Sequence, residues 1–203
     1  MSRRLETCPR DSREQLVQET ARLMAEQGIE DPFAARHKAA NRLGRASARD
    51  LPGGEEILTA LHNYLALFQD RQHQQHLEEL RRTALRAMRR LRPLADVRLV
   101  GAVLDGTVVA STPVILHLLG ITAEEVTIYL LEHRINYRES ARSVEYGPKD
   151  SREVAAFVMD LDGATLETLI FSPDAPRQAP ICPLTGRAMV RAGIGAVERL
   201  LEK

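Results

Sequence analysis

The chain has 203 residues, 44% of them hydrophobic, enough for one generous core or two small ones. Its 28 Lys+Arg balance 28 Asp+Glu, so no basic excess points to nucleic acid and no acidic excess to a disordered tail. Two cysteines, Cys8 and Cys182, lie in no CxxC or Cys/His spacing, which excludes a disulfide-rich secreted scaffold and favours a reducing compartment. No apolar run approaches the roughly 20 residues that span a bilayer, and no signal peptide shows behind Met1 to Glu6. A cytoplasmic location with no membrane partner is expected.

Residues 1–10 read as a loose terminus. Asp11 followed by Glu14 predicts an N-cap with its reciprocal partner, Val17, Ala21 and Met24 follow at helical spacing, and Gly28 suits a left-handed cap. Asp31 and Pro32 start a second helix that Gly44 ends. After the break at Leu51-Pro52-Gly53-Gly54, a third helix is predicted over residues 55–68, with Ile57, Leu61, Tyr64 and Phe68 on one stripe. A fourth covers residues 73–91, with Leu77, Leu80, Ala84, Met88 and Leu91 on one face and Pro93 beyond its end. Residues 1–95 are therefore expected to form a helical region.

At Asp96 the texture changes. Strands are predicted over residues 97–101, 113–119, 137–146, 153–160 and 165–171, with a helix over residues 122–133 and a closing helix over residues 194–202. Asp162-Gly163 signals a tight turn between the last two strands, and Ser172 to Pro183 a Pro-rich loop. The expected fold class is α+β: a helical N-terminal half, then a mixed sheet with flanking helices over residues 96–203.

Residues 101–115 read Gly-Ala-Val-Leu-Asp-Gly-Thr-Val-Val-Ala-Ser-Thr-Pro-Val-Ile. This resembles the signature of the polymerase-beta-type nucleotidyltransferase superfamily, Gly-Ser, two residues, a residue that is often Arg, Gly, a spacer, then Ser-Asp-x-Asp-Leu. In that superfamily a Gly-rich turn holds nucleotide phosphates, and two carboxylates on one strand, with a third from a later strand, hold divalent metal. The resemblance implies phosphate- or nucleotide-binding positions at Gly101, Ala102, Gly106 and Ser111. It places Ala102 at the family's serine, Asp105 at its frequent arginine, and Thr112 and Val114 at the two carboxylates. The third carboxylate falls on the strand where Glu167 is the sole acid. A site reduced to Glu167 would hold Mg²⁺ weakly. Arg36 to Leu43, Leu99 to Thr107 and Ala179 to Met189 extend the likeness to a bacterial group pairing a helical half with such a domain.

Each of these residues also has a plainer account. Glycines between a strand and a helix often only permit a tight turn. Asp160-x-Asp162 imitates a metal pair, but the following Gly163 makes a hairpin the better account. Glu167 is either an exposed strand residue or a site residue. His117, in an apolar run, is either a hydrogen-bonded core residue or a catalytic one. His73 and His76 share a helical face without a third ligand. Arg81, Arg82, Arg86 and Arg89 form the densest charge cluster; few aromatics accompany it, so a solvated face paired with Glu78 and Glu79 is favoured over nucleic acid. Cys182, between prolines, has no neighbour to activate it. No P-loop pattern occurs, and Gly193-x-Gly195 has no βαβ unit after it.

Three functions are compatible with this pattern. The first is a nucleotidyltransferase-like pseudoenzyme that binds a nucleotide or a protein partner. It would need no cofactor. The second is an enzyme with a rearranged site, in which Glu167, Asp105 and His117 hold Mg²⁺ or act as acid and base. The third is a structural or regulatory interaction module that works through its helical half.

Overall fold

The computed structural model describes residues 9–29, 31–44, 51–68, 71–161 and 163–202. Cys8 and Asp162, and the side chains of Asp11 and Phe68, fall outside that description. The first helix, α1 (Pro9–Gln27), begins two residues before Asp11, which therefore sits inside the first turn instead of capping it. Pro9 suits that start, because its missing N–H is not needed there. In α2 (Pro32–Arg42) the expectation holds in atomic detail: the Asp31 side chain accepts from the Phe33 N–H, 2.8 Å away, and Pro32 opens the helix. Gly28, past the end of α1, takes a φ of 64°, the left-handed conformation its position required.

Packing divides the chain between residues 69 and 70, with residues 109–111 counted with the first unit. In that unit α1, α2 and α3 (Gly54–Phe68) bury two small apolar clusters. Ala21, Met24, Ala35, Ile57, Leu61 and Leu65 form one, and Leu16, Leu23, Ala39 and Ala40 the other. The alanines let α2 lie close. Exposed ion pairs such as Arg13–Glu56, at 2.7 Å, decorate the outside.

The second unit begins one helix earlier than the boundary expected at 95/96. The apolar stripe of α4 (Arg71–Leu91), Leu80, Ala84, Met88 and Leu91, is buried against strands and so belongs with the sheet. Five strands follow: β1 (Asp96–Val100), β2 (Val114–Leu119), β3 (Arg138–Gly147), β4 (Asp150–Leu161) and β5 (Ala164–Phe171). Their order is β1-β2-β5-β4-β3, with β2 and β5 parallel and every other neighbour antiparallel. The chain is α+β with a mixed sheet. The single turn α5 (Ala102–Asp105) joins β1 to the loop before β2, and α6 (Ala123–Glu132) and α7 (Ile194–Leu201) complete the unit. Thr122 and Glu125 make a reciprocal capping box at the start of α6. Leu161 pairs with Ala164 at the end of the β4–β5 ladder, and Gly163 takes a φ of 80°.

Alternation sorts the strand residues onto two faces. One face carries Val97, Leu99, Val114, Leu116, Leu118, Phe157, Met159, Leu166 and Ile170, and α4, α5, α6 and α7 cover it through Met88, Val103, Val126, Leu130 and Val197. The other face carries Ile115, His117, Leu119, Val144, Tyr146, Ala156, Glu167, Leu169 and Phe171. No helix packs there among the described residues. Instead, residues 172–193 lie across it. Ile181 donates to the Glu145 carbonyl at one edge strand, and Ala192 exchanges two 2.9 Å hydrogen bonds with Leu99 at the other.

A candidate site on the open sheet face

Glu167 lies at the centre of the open face, because β5 is the middle strand. It is 5% exposed, and Arg142 of β3 donates to it from Nε at 2.6 Å. The guanidinium lies over the carboxylate with its own side chain 55% exposed, so it seals the acid from solvent. The bond raises the Arg142 pKa above its ordinary value, the hydrogen bond being the larger cause and the nearby charge the smaller. Ile115 flanks Glu167 on β2 and Val158 on β4. A carboxylate among apolar neighbours with one guanidinium is a neutralised charge, with little capacity left for a divalent cation.

Val114, one of the two positions matched to the family's metal ligands, does not meet Glu167. Val114 is fully buried on the opposite, helix-covered face. Its strand neighbour Ile115 is the residue that stands beside Glu167. Val114, expected at one of the family's carboxylate positions, is thus on the other side of the sheet from Glu167, since a single step along a strand moves a side chain to the other face. Thr112 itself precedes β2 and is half-buried.

The glycine frame is a tight turn. Gly101 takes φ 73° and ψ −155°, and Gly106 is left-handed at φ 81°. Between them the Asp105, Gly106 and Thr107 N–H groups return to the Gly101 and Ala102 carbonyls. Arg81 of α4 binds the Val103 and Leu104 carbonyls, so this arginine holds the turn instead of waiting for an anion. A Cβ on Gly101 would meet Ile115, whereas one on Gly106 would meet Leu77 and Arg81. The two glycines thus look toward different surroundings. Asp105 and Ser111 are exposed, Asp105 at the end of α5 next to α4 and Ser111 in the loop before β2.

His117 shares the open face but not the environment of Glu167. It is 1% exposed, tilted against the Phe171 ring at 4.6 Å, and its Nδ1 accepts from Arg191 Nε at 3.1 Å. Nδ1 is therefore the unprotonated nitrogen. Burial first, and the Arg191 charge second, lower its pKa to about 3. A histidine so held stays neutral at ordinary pH and has its free lone pair occupied, which removes it as acid and base.

Three further arginines of α4 are paired: Arg82 with Glu78, Arg86 with the Thr83 hydroxyl, and Arg89 with Glu198 of α7. The cluster expected as a solvated face paired with Glu78 and Glu79 is thus divided among local partners, Glu78 among them. His73 and His76 are half-buried instead of solvated. Cys182 is half-buried in a turn closed by its backbone bonds to Gly186 and Arg187. Among the described residues no group of three or more His, Cys, Asp or Glu could hold a metal ion, and no helix is long and apolar enough to cross a membrane.

Sequence reasoning missed Arg142, Arg191 and Tyr146. The first is one arginine in a charged edge strand, and its partner lies 25 residues away. No local pattern names such a partner.

No family model, no curated protein and no solved structure matches the chain.

Proposed function

We propose that this is a nucleotidyltransferase-like binding protein whose sheet face does not carry out metal-dependent transfer, and that this face binds a nucleotide or a protein partner. The observation that supports it is the Arg142–Glu167 pair. A two-metal displacement needs carboxylates that bridge two cations. Here the single acid on the central strand is covered by a fixed cation of the protein, and its β2 neighbour is Ile115. A side-chain guanidinium in that position repels a divalent ion and cannot exchange ligands.

The rearranged-site alternative draws on the same residues with less support. Glu167 is occupied by Arg142, His117 by Arg191, and Asp105 ends a turn packed on α4. The test is incubation of the full chain with Mg²⁺ or Mn²⁺ and each nucleoside triphosphate, followed by pyrophosphate release and by calorimetric titration. Binding without turnover is the expected result for a nucleotide ligand. Pyrophosphate release above a Glu167→Gln control overturns the proposal.

A further inference from the structure

Where residues 172–193 cross the open face, a second polar group is buried, separate from Glu167. Arg191 reaches down from this segment. Its Nε donates to His117, and its guanidinium lies over the Phe171 ring at 4.8 Å. These two contacts fix the plane of the guanidinium. One terminal nitrogen, Nη2, is buried and has no hydrogen-bond partner. The Tyr146 hydroxyl is likewise buried and without a partner. Both border the same side chain: Arg191 lies over the Phe171 ring, and Tyr146 belongs to the same buried cluster as Phe171.

Two buried donors without acceptors, one of them charged, are a costly arrangement. Each has given up its hydrogen bonds to water without replacing them, and the charged one loses more. The charged neighbours do not relieve it. Asp96 and Asp150 are the nearby carboxylates, and each is already held at 2.8 Å, the first by Arg98 and the second by Arg152. Arg152, so paired, lies over the Tyr146 ring at 5.4 Å. Burial lowers the Arg191 pKa from its ordinary value, as expected for a cation short of a counter-ion. Tyr146 and Phe171 also help line a cleft of about 390 Å³, together with Thr122, Arg152 and Asp174.

We infer that Arg191 Nη2 and the Tyr146 hydroxyl form a binding site for a small oxyanion, a phosphate or carboxylate group, held between the crossing segment and the sheet. The ligand would accept from both donors, and the His117 and Phe171 contacts would hold the guanidinium ready for it. The site does not depend on the nucleotidyltransferase-like reading, because it uses neither the glycine turn nor Glu167.

The test is thermal unfolding of the full chain at pH 7.5 in rising sodium phosphate and, separately, sodium acetate, at ionic strength held constant with sodium chloride. A saturable rise in Tm is expected with at least one of the two, and the arm that responds identifies phosphate or carboxylate. Tyr146→Phe keeps the ring and its Arg152 contact, and is expected to weaken binding about tenfold. Arg191→Gln is expected to abolish it. No shift beyond the chloride control overturns the inference, and so does an equal shift in wild type and Tyr146→Phe.

Discussion

The two faces of the sheet solve different problems with the same strands. On one face, Leu99, Val114, Leu116, Phe157 and Ile170 meet apolar stripes from α4, α6 and α7, and stability there comes from area removed from water. On the other face, Glu167, Arg142, His117, Arg191 and Tyr146 stand among apolar residues, and no helix covers them among the described residues. Polar groups in such a place persist only in specific pairs, since each must be matched or left at a cost. The contrast separates two kinds of packing: the covered face is apolar throughout, whereas the open face holds paired charges and two buried donors without partners.

The sharpest way to break this division is to put one acid on each side of β2. Val114→Asp buries a charge among the helices with no partner and is expected to cost about 4 kcal/mol or more, enough to prevent folding. Ile115→Asp, one residue on, points to the half-buried open face and is expected to cost clearly less, even with the like charge of Glu167 beside it. Urea unfolding of both variants measures the difference. Equal costs would mean that the two faces are not distinct environments.

A second test uses pH. His117 in the folded chain titrates at about 3 against an ordinary 6.5. Below the ordinary value the unfolded chain takes up a proton that the folded chain refuses. Stability contributed by His117 is therefore complete above pH 6.5 and lost as pH falls toward 3, at up to about 1.4 kcal/mol per pH unit. His117→Gln keeps an acceptor for Arg191 but has no proton to gain. Between pH 6 and pH 4 the wild type is expected to lose about 2 kcal/mol more than this variant, measured by urea unfolding at each pH. Parallel losses would show that the histidine is hydrated.

The difference between the faces also explains what the sequence could and could not convey. Apolar periodicity is a local signal, so the helices over Ile57 to Leu65 and Leu77 to Leu91 and the strand over Val114 to Leu119 were legible. What α4 packs against was not. Its stripe looks the same whether it meets a helix or a sheet, which is why the boundary was expected at residue 95 and the packing places it at 69/70. Motif spacing cannot supply parity either. Counting along the motif from Gly106 reaches Val114, which the β2–β5 register puts on the face opposite Glu167. The open-face pairs are the least legible of all. Arg142 and Glu167 are 25 residues apart, His117 and Arg191 are 74 apart, and only the completed sheet brings them together.

A smaller effect checks whether the Arg142–Glu167 pair is a true stabiliser of the open face. Arg142→Ala leaves the carboxylate without its guanidinium and is expected to cost about 2 kcal/mol, below the value for a fully buried pair because the arginine is half in solvent. In a Glu167→Gln background the same substitution should cost about 1 kcal/mol less. Urea unfolding of the four proteins gives this coupling directly. No coupling would leave Glu167 available to a cation and weaken the case against metal chemistry.

The smallest expected effect concerns the glycine turn, which lies where the two faces meet at the end of β1. Gly101 has φ 73° and ψ −155°, a region that only glycine enters readily, and the nearest atom to an added Cβ is Ile115 Cδ1 at 3.8 Å. Gly101→Ala is therefore expected to cost about 1–2 kcal/mol through the backbone alone. Gly106 is in the ordinary left-handed region at φ 81° and ψ 17°, where an added Cβ makes normal contact with Arg81 and Leu77. Gly106→Ala should cost about 1 kcal/mol, the lesser of the two. That ranking follows if both glycines are there for the turn. A reversed ranking would mean that close approach to α4, and not the backbone angles, determines the second glycine. A Gly101→Ala protein as stable as wild type would remove the turn as the explanation and return that residue to the list of phosphate contacts.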